Sequence, residues 1–153
     1  MSSPFAHLFS HTLASLTMFG LGTWTAPALV AEEIKVEAKL VWGTNESASK
    51  NPKHKPLDEE TAKKLQKIFK WQNYFLETRL VETVANRQTK PLKMSKDCTV
   101  EITELAGAPV QVQLFGKGKL VNKTTKSFNP GEWIVIGGDD SNECAWFVIL
   151  NRL

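Results

Sequence analysis

From Glu33 to Trp42 the chain alternates between polar and apolar residues. Ile34, Val36, Ala38, Leu40 and Trp42 share one parity, and Glu33, Lys35, Glu37 and Lys39 share the other. That period of two predicts a half-buried strand with its apolar set on a core and its charges in water. The run Cys144-Ala145-Trp146-Phe147-Val148-Ile149-Leu150 behaves differently, since it is apolar on both parities and carries no charge. A strand of that kind is buried on both faces, and everything else has to be arranged around it.

Between these two runs the pattern first turns helical. Asp58 is placed to cap a helix and Leu57 to staple against Ala62. Ala62, Leu65, Ile68, Phe69 and Leu76 then recur at helical spacing, with Lys63, Lys67 and Lys70 on the opposite side. Glu59 and Glu60 favour the first turn, and each has a lysine four residues on. The spacing predicts a helix from about Glu59 to Trp71 or Gln72. Tyr74, Leu76, Leu80 and Val84 then alternate with polar residues, which predicts a second strand ending near Ala85.

Residues 43–56 and 86–95 read as loops, the first rich in Gly, Ser, Asn, Pro and Lys, the second basic. Strands follow at Cys98–Leu105, Val110–Phe115, Leu120–Thr125, Trp133–Ile136 and Ala145–Leu150, separated by Gly- and Pro-bearing turns. Short gaps make such neighbours antiparallel. The expected fold is therefore α+β: a mainly antiparallel sheet, a meander rolled or folded into a sandwich, with one amphipathic helix packed on it.

The first thirty-one residues change the picture. They contain no Lys, Arg, Asp or Glu, and include the apolar run Leu13–Leu21 followed by Ala26-Pro27-Ala28 and Leu29-Val30-Ala31. This is the layout of a signal peptide, although its start has only His7 and His11 in place of Lys or Arg. Residues 1–31 are expected to be removed, leaving 32–153 as a single small domain exported to a periplasm or medium, without a transmembrane segment. The two cysteines, Cys98 and Cys144, both fall in that part and both begin strands. In an oxidising compartment they are expected to form a disulfide between neighbouring strands, worth about 4 kcal/mol on the chain-entropy account.

Charge and chemistry mostly exclude. Nineteen Lys and Arg against sixteen Asp and Glu give a net charge of +3, too mild for a nucleic-acid-binding domain. His54 is the one histidine beyond the leader and lies in the loop Pro52-Lys53-His54-Lys55-Pro56, where a solvated side chain is expected. No triad, zinc set or other cofactor site is visible. Gly116-Lys117-Gly118-Lys119 runs from strand to strand and reads as a hairpin, not a phosphate loop. Gly137–Glu143 gathers carboxylates without the spacing of a calcium loop, and is read as a polar turn beside the basic Arg87–Lys96 loop.

Trp42 and Trp146 belong to strongly patterned strands and are expected in the core, whereas Trp71 and Trp133 are the tryptophans expected at the surface. With Arg87, Lys90, Asp139 and Asp140 they make up the candidate ligand surface. The basic segments Lys50–Lys55, Lys63–Lys70, Arg87–Lys96 and Lys117–Lys126 are interleaved with acids and read as solubilising charge. The chain is thus expected to be a non-catalytic binding or structural domain, with a protein or glycan partner in the envelope or medium. The alternative is a carboxylate-based hydrolase of a polysaccharide or envelope polymer, using Glu101, Glu104, Glu132, Asp139 or Asp140.

Overall fold

The structure, a computed structural model, describes residues 33–141 and 144–153, with side chains 138–141 excepted. The leader expected over residues 1–31 lies outside the described residues. Nine strands and one helix follow in order: β1 Ile34–Thr44, β2 Lys55–Pro56, α1 Glu59–Gln66, β3 Asn73–Val84, β4 Thr89–Lys93, β5 Cys98–Glu104, β6 Pro109–Gly116, β7 Lys119–Ser127, β8 Trp133–Ser141 and β9 Cys144–Arg152. They build two antiparallel sheets, ordered β2-β3-β1-β9-β8 and β4-β5-β6-β7. The α+β class, with antiparallel sheets and a single short helix, is as the patterning requires.

The alternating apolar sets meet between the sheets. Ile34, Val36, Ala38 and Leu40 of β1 and Val148 and Leu150 of β9 pack with Val100, Ile102, Val112 and Leu114 of the second sheet, all at most 3 % exposed. The other face of β9 presents Ala145, Phe147 and Ile149 to a second cluster with Val41, Leu65, Trp71 and Tyr74. The last strand is therefore covered on both sides, by a sheet and by the helical layer, as its doubly apolar sequence demands.

The helix stops sooner than its periodicity suggests. Asp58 caps it, its Oδ1 accepting the Thr61 N–H at 2.9 Å, and Leu57 and Ala62 both join the second apolar cluster. After Gln66 the chain turns through Lys67, so that Phe69 and Trp71 drop onto the sheet while Ile68 is left 59 % exposed. The close approach of Trp71 needs a strand position without a side chain. A Cβ on Gly43 would lie 2.8 Å from the indole of Trp71 and 2.9 Å from the ring of Phe147.

Three expectations about the strands are corrected. The basic segment 86–95 is not all loop: Thr89–Lys93 forms the edge strand β4, and Pro91 is tolerated there because an edge residue need not donate to a ladder. The strands after Cys98 do not continue as one meander. The turn at Asn129-Pro130-Gly131, with Gly131 at φ +80°, carries the chain across to the first sheet, where β9 pairs with β1 and β8 pairs with β9 at the edge. Finally, Glu37 does not face water. It is 7 % exposed, bonded by Arg79 and by Asn151 Nδ2 (2.9 Å), with Lys39 at 3.5 Å. Burial opposes ionisation of Glu37, but these donors and cations outweigh it and hold the carboxyl below its ordinary range.

Candidate functional site: a cleft at the open end of the sandwich

The two ends of the sandwich are finished differently. At the end holding Ile34, Val84 and Arg152, a bond crosses from sheet to sheet, Arg152 Nη1 donating to the Phe128 carbonyl. The ladders of the second sheet also run on past their strands there, Glu104 N–H donating to the Gln88 carbonyl at 3.1 Å and Phe128 N–H to Ala108 at 2.8 Å. Phe128 is fully buried between the layers there. Glu104, 2 % exposed, accepts the N–H groups of Arg87 (2.7 Å), Ala106 (2.9 Å) and Gly107 (2.9 Å). Its burial would raise the carboxyl pKa, yet the three N–H donors and nearby Arg152 lower it overall. That end is closed.

At the opposite end, where β1 and β3 reach Thr44 and Asn73, no backbone–backbone hydrogen bond crosses between the sheets among the described residues. Two adjoining hollows open there. The outer one, about 630 Å³, is lined by Trp42, Ser49, Lys50, His54, Glu77 and Cys144 among others. The inner one, about 440 Å³, takes in Leu40, Cys98, Lys117 and Trp146. Trp42, Glu77 and Cys144 line both, so the two form one cleft.

Local sequence explains how its polar groups are placed. In the register of β1 with β3, Leu40 pairs with Thr78 and Val41 with Leu76, which leaves Glu77 as the extra residue of a bulge. Bulges re-aim side chains, and this one directs Glu77 into the cleft. The loop after β1 is held by Asn45, whose Oδ1 accepts the Gln72 N–H at 3.2 Å, and by Asn73, which donates to the Glu46 carbonyl at 3.0 Å. Asn51 folds the Pro-flanked turn, its Oδ1 accepting from Lys53 N–H and its carbonyl from His54 N–H. Lys55 and Pro56 then pair with Leu76 and Phe75, which sets His54 beside Glu77.

His54 is not a solvated loop residue. Its side chain is only 6 % exposed; Nδ1 lies 2.7 Å from Ser49 Oγ and Nε2 3.6 Å from Glu77 Oε2. Ser49 Oγ also accepts the Asn51 N–H at 3.1 Å. Nε2 faces the Glu77 carboxylate. The gap is longer than a hydrogen bond, and buried Nε2 has no hydrogen-bond partner among the described residues. The Trp42 ring stands 6.3 Å away, centroid to centroid. A buried ring nitrogen held in one orientation beside an aromatic wall is a group for recognising a ligand's oxygen or nitrogen.

The cysteines meet the cleft from opposite sheets, Cys98 from β5 and Cys144 from β9, not from neighbouring strands of one sheet, and no disulfide joins them. Burial, with a contribution from the charge of Glu77, pushes the Cys98 thiol up to about 12, so it keeps its proton at neutral pH. Lys50, paired with Glu46 at 3.0 Å, lies within electrostatic reach of Cys144. No group of three or more His, Cys, Asp or Glu among the described residues is close enough to hold a metal ion.

The six residues expected as a ligand surface are not brought together. Trp71 is 4 % exposed, sealed under the helical layer with Lys70 Nζ 4.6 Å over its ring. Trp133 is half-buried at the closed end, with Lys64 6.0 Å over it. Arg87 is exposed in the turn at the same end, with φ 57°. Lys90 joins Glu82 across the sandwich edge at 3.4 Å. Asp139 and Asp140 lie near the hairpin end of β8, and their side chains are outside the described part. The acidic turn and Arg87 thus belong to opposite ends. Trp42 and Trp146, read as core, are half-buried in the cleft wall instead. The break in alternation at Phe75-Leu76-Glu77 was the one sequence signal of the bulge that makes the site.

No protein-family model, curated protein or solved structure matches this chain. No helix of the described residues is long and apolar enough to cross a membrane.

Proposed function

We propose that this protein is an exported, non-catalytic binding domain that takes a protein or glycan ligand into the open-end cleft. The observation that carries the reading is the buried Nε2 of His54, without a hydrogen-bond partner among the described residues, beside Trp42 and Glu77 at the mouth of a cleft that Trp146 extends inward. Aromatic walls with a few fixed polar groups are the usual make-up of a recognition pocket. Export is supported by the charge-free, apolar start of the sequence, and it predicts a mature N-terminus between Leu29 and Glu32 by intact mass from the native host. In an oxidising compartment Cys98 and Cys144, which line one hollow, pair as a disulfide that ties the two sheets at the mouth.

Tryptophan fluorescence titration against arrays of oligosaccharides and peptides tests the reading. A ligand should quench Trp42 and Trp146, and His54→Ala should weaken it by about tenfold or more, the worth of one buried hydrogen bond. Binding that survives both Trp42→Ala and His54→Ala would place the ligand elsewhere. A polysaccharide hydrolase is the second reading, because Glu46 and Asp97 share the cleft with Glu77. Release of new reducing ends, abolished by Glu77→Gln, would replace binding with catalysis.

A further inference from the structure

The fold divides the charge of the chain unequally. Residues 87–127, which make β4 to β7 and their turns, hold eight basic and three acidic side chains; the rest of the chain holds eleven basic and thirteen acidic. The mild overall charge therefore conceals a basic sheet laid against a faintly acidic remainder. One of the three acids, Glu104, is buried and committed to backbone N–H groups. Lys90 is paired with Glu82 and Lys96 lies 4.0 Å from Asp97, but Lys93, Lys117, Lys119, Lys123 and Lys126 make no ion pair among the described residues. Most of them stand on or beside β7, a free edge strand exposed at every position except Thr124.

We propose that the outward face of this sheet and its β7 edge form a docking surface for an acidic polysaccharide. Three features of the face fit that polymer together. Lys93 and Lys123 on the outward parity, with Lys119 and Lys126 at the exposed edge, match carboxylate or sulfate groups. Glu101 shares the outward parity, and around it the face is hydroxyl and amide, with Thr89, Thr103, Gln111 and Thr125 in one cross-strand row, the groups that hydrogen-bond sugar hydroxyls. Phe115 and the 53 % exposed Leu120 pair across β6 and β7 and offer an apolar spot for the face of a sugar ring. An anionic bilayer would call for a larger apolar face to insert than this spot, and duplex nucleic acid for an element that enters a groove; the flat sheet supplies neither. This surface uses neither Trp42 nor His54, and of its lysines only Lys117 also lines the cleft.

The test is binding of the purified protein to heparin and polygalacturonate by titration calorimetry at several salt concentrations, with neutral dextran, duplex DNA and phosphatidylserine vesicles in parallel. Affinity for the acidic polysaccharides should fall as salt rises, and dextran should not bind. The triple variant Lys119→Gln, Lys123→Gln, Lys126→Gln removes three exposed charges, and is expected to weaken binding by about tenfold or more with an unchanged Tm. Lys63→Gln, Lys64→Gln, Lys67→Gln makes the same change of net charge on the helix and should leave affinity within about twofold. Equal losses in both triples would reduce the effect to net charge and overturn the proposal, as would tighter binding to DNA or to the vesicles. Trp42→Ala should bind the acidic polysaccharides normally, which separates failure of this surface from failure of the cleft.

Discussion

Glu104 is the residue on which the closed end depends. Its carboxylate gathers three backbone N–H groups from two turns, and two of the donors, Arg87 and Ala106, sit at positive φ where a non-glycine backbone is costly without support. Glu104→Gln keeps the volume but turns an NH₂ toward donors, and should cost about 2–3 kcal/mol in chemical denaturation. The sign of the pH effect follows from the lowered folded pKa. The stability contributed by ionised Glu104 is complete above the ordinary carboxylate range and is lost as pH falls through the folded value. The wild type should therefore lose stability into acid more steeply than Glu104→Gln, which urea melts along a pH series would resolve.

Cys98 and Cys144 differ at the same scale. Cys98 is buried with its thiol at about 12, whereas Cys144 is half-buried. In the reduced protein a thiol reagent should label Cys144 well before Cys98, and mass spectrometry of the labelled peptides gives the order. Simultaneous labelling would indicate that the mouth opens far enough to expose both.

Among the elements, the helix makes the sharpest distinction between sequence period and packing. Phe69 lies with its ring centroid 4.4 Å from that of Phe147, so Phe69→Ala should cost about 2–4 kcal/mol. Ile68→Ala and Lys67→Ala should each stay within about 0.5 kcal/mol, because both side chains are exposed. A continued helix would have buried Ile68 with Phe69. On β1, Gly43→Ala should cost about 1–3 kcal/mol, since the new methyl meets the indole of Trp71 and the ring of Phe147 at once. Thermal melts of these four variants would rank them.

The strands of strong alternation, β1 and β5, and the doubly apolar β9 were legible in the sequence because burial alone sets their pattern. The sandwich partition was not. Whether β8 extends the β4–β7 sheet or crosses to the first sheet beside β9 is a choice that local residues do not encode. The site was less legible still. Glu77 enters the cleft through a one-residue bulge, His54 through a pairing of only two residues between β2 and β3, and each is a long-range contact with no period of its own. A lone histidine between two prolines carries no mark of the carboxylate that a strand twenty residues away will place beside it.

At the scale of the molecule, three layers stack: a short helix, a five-stranded sheet and a basic four-stranded sheet. Their surfaces have separate characters, and the cleft opens where the two sheets part. The closed end gives that cleft a topological consequence. A channel open at both ends lets a polymer thread through and be gripped anywhere along its length. Here the packed core between the sheets, with Phe128 buried at its far end, forms a floor, so whatever enters the mouth must stop. A chain molecule can then be held only by a terminus or a side branch short enough to be swallowed whole, and its remainder must trail back into solvent. Capping the end of a bound oligomer should abolish uptake, whereas lengthening its far end should leave affinity unchanged.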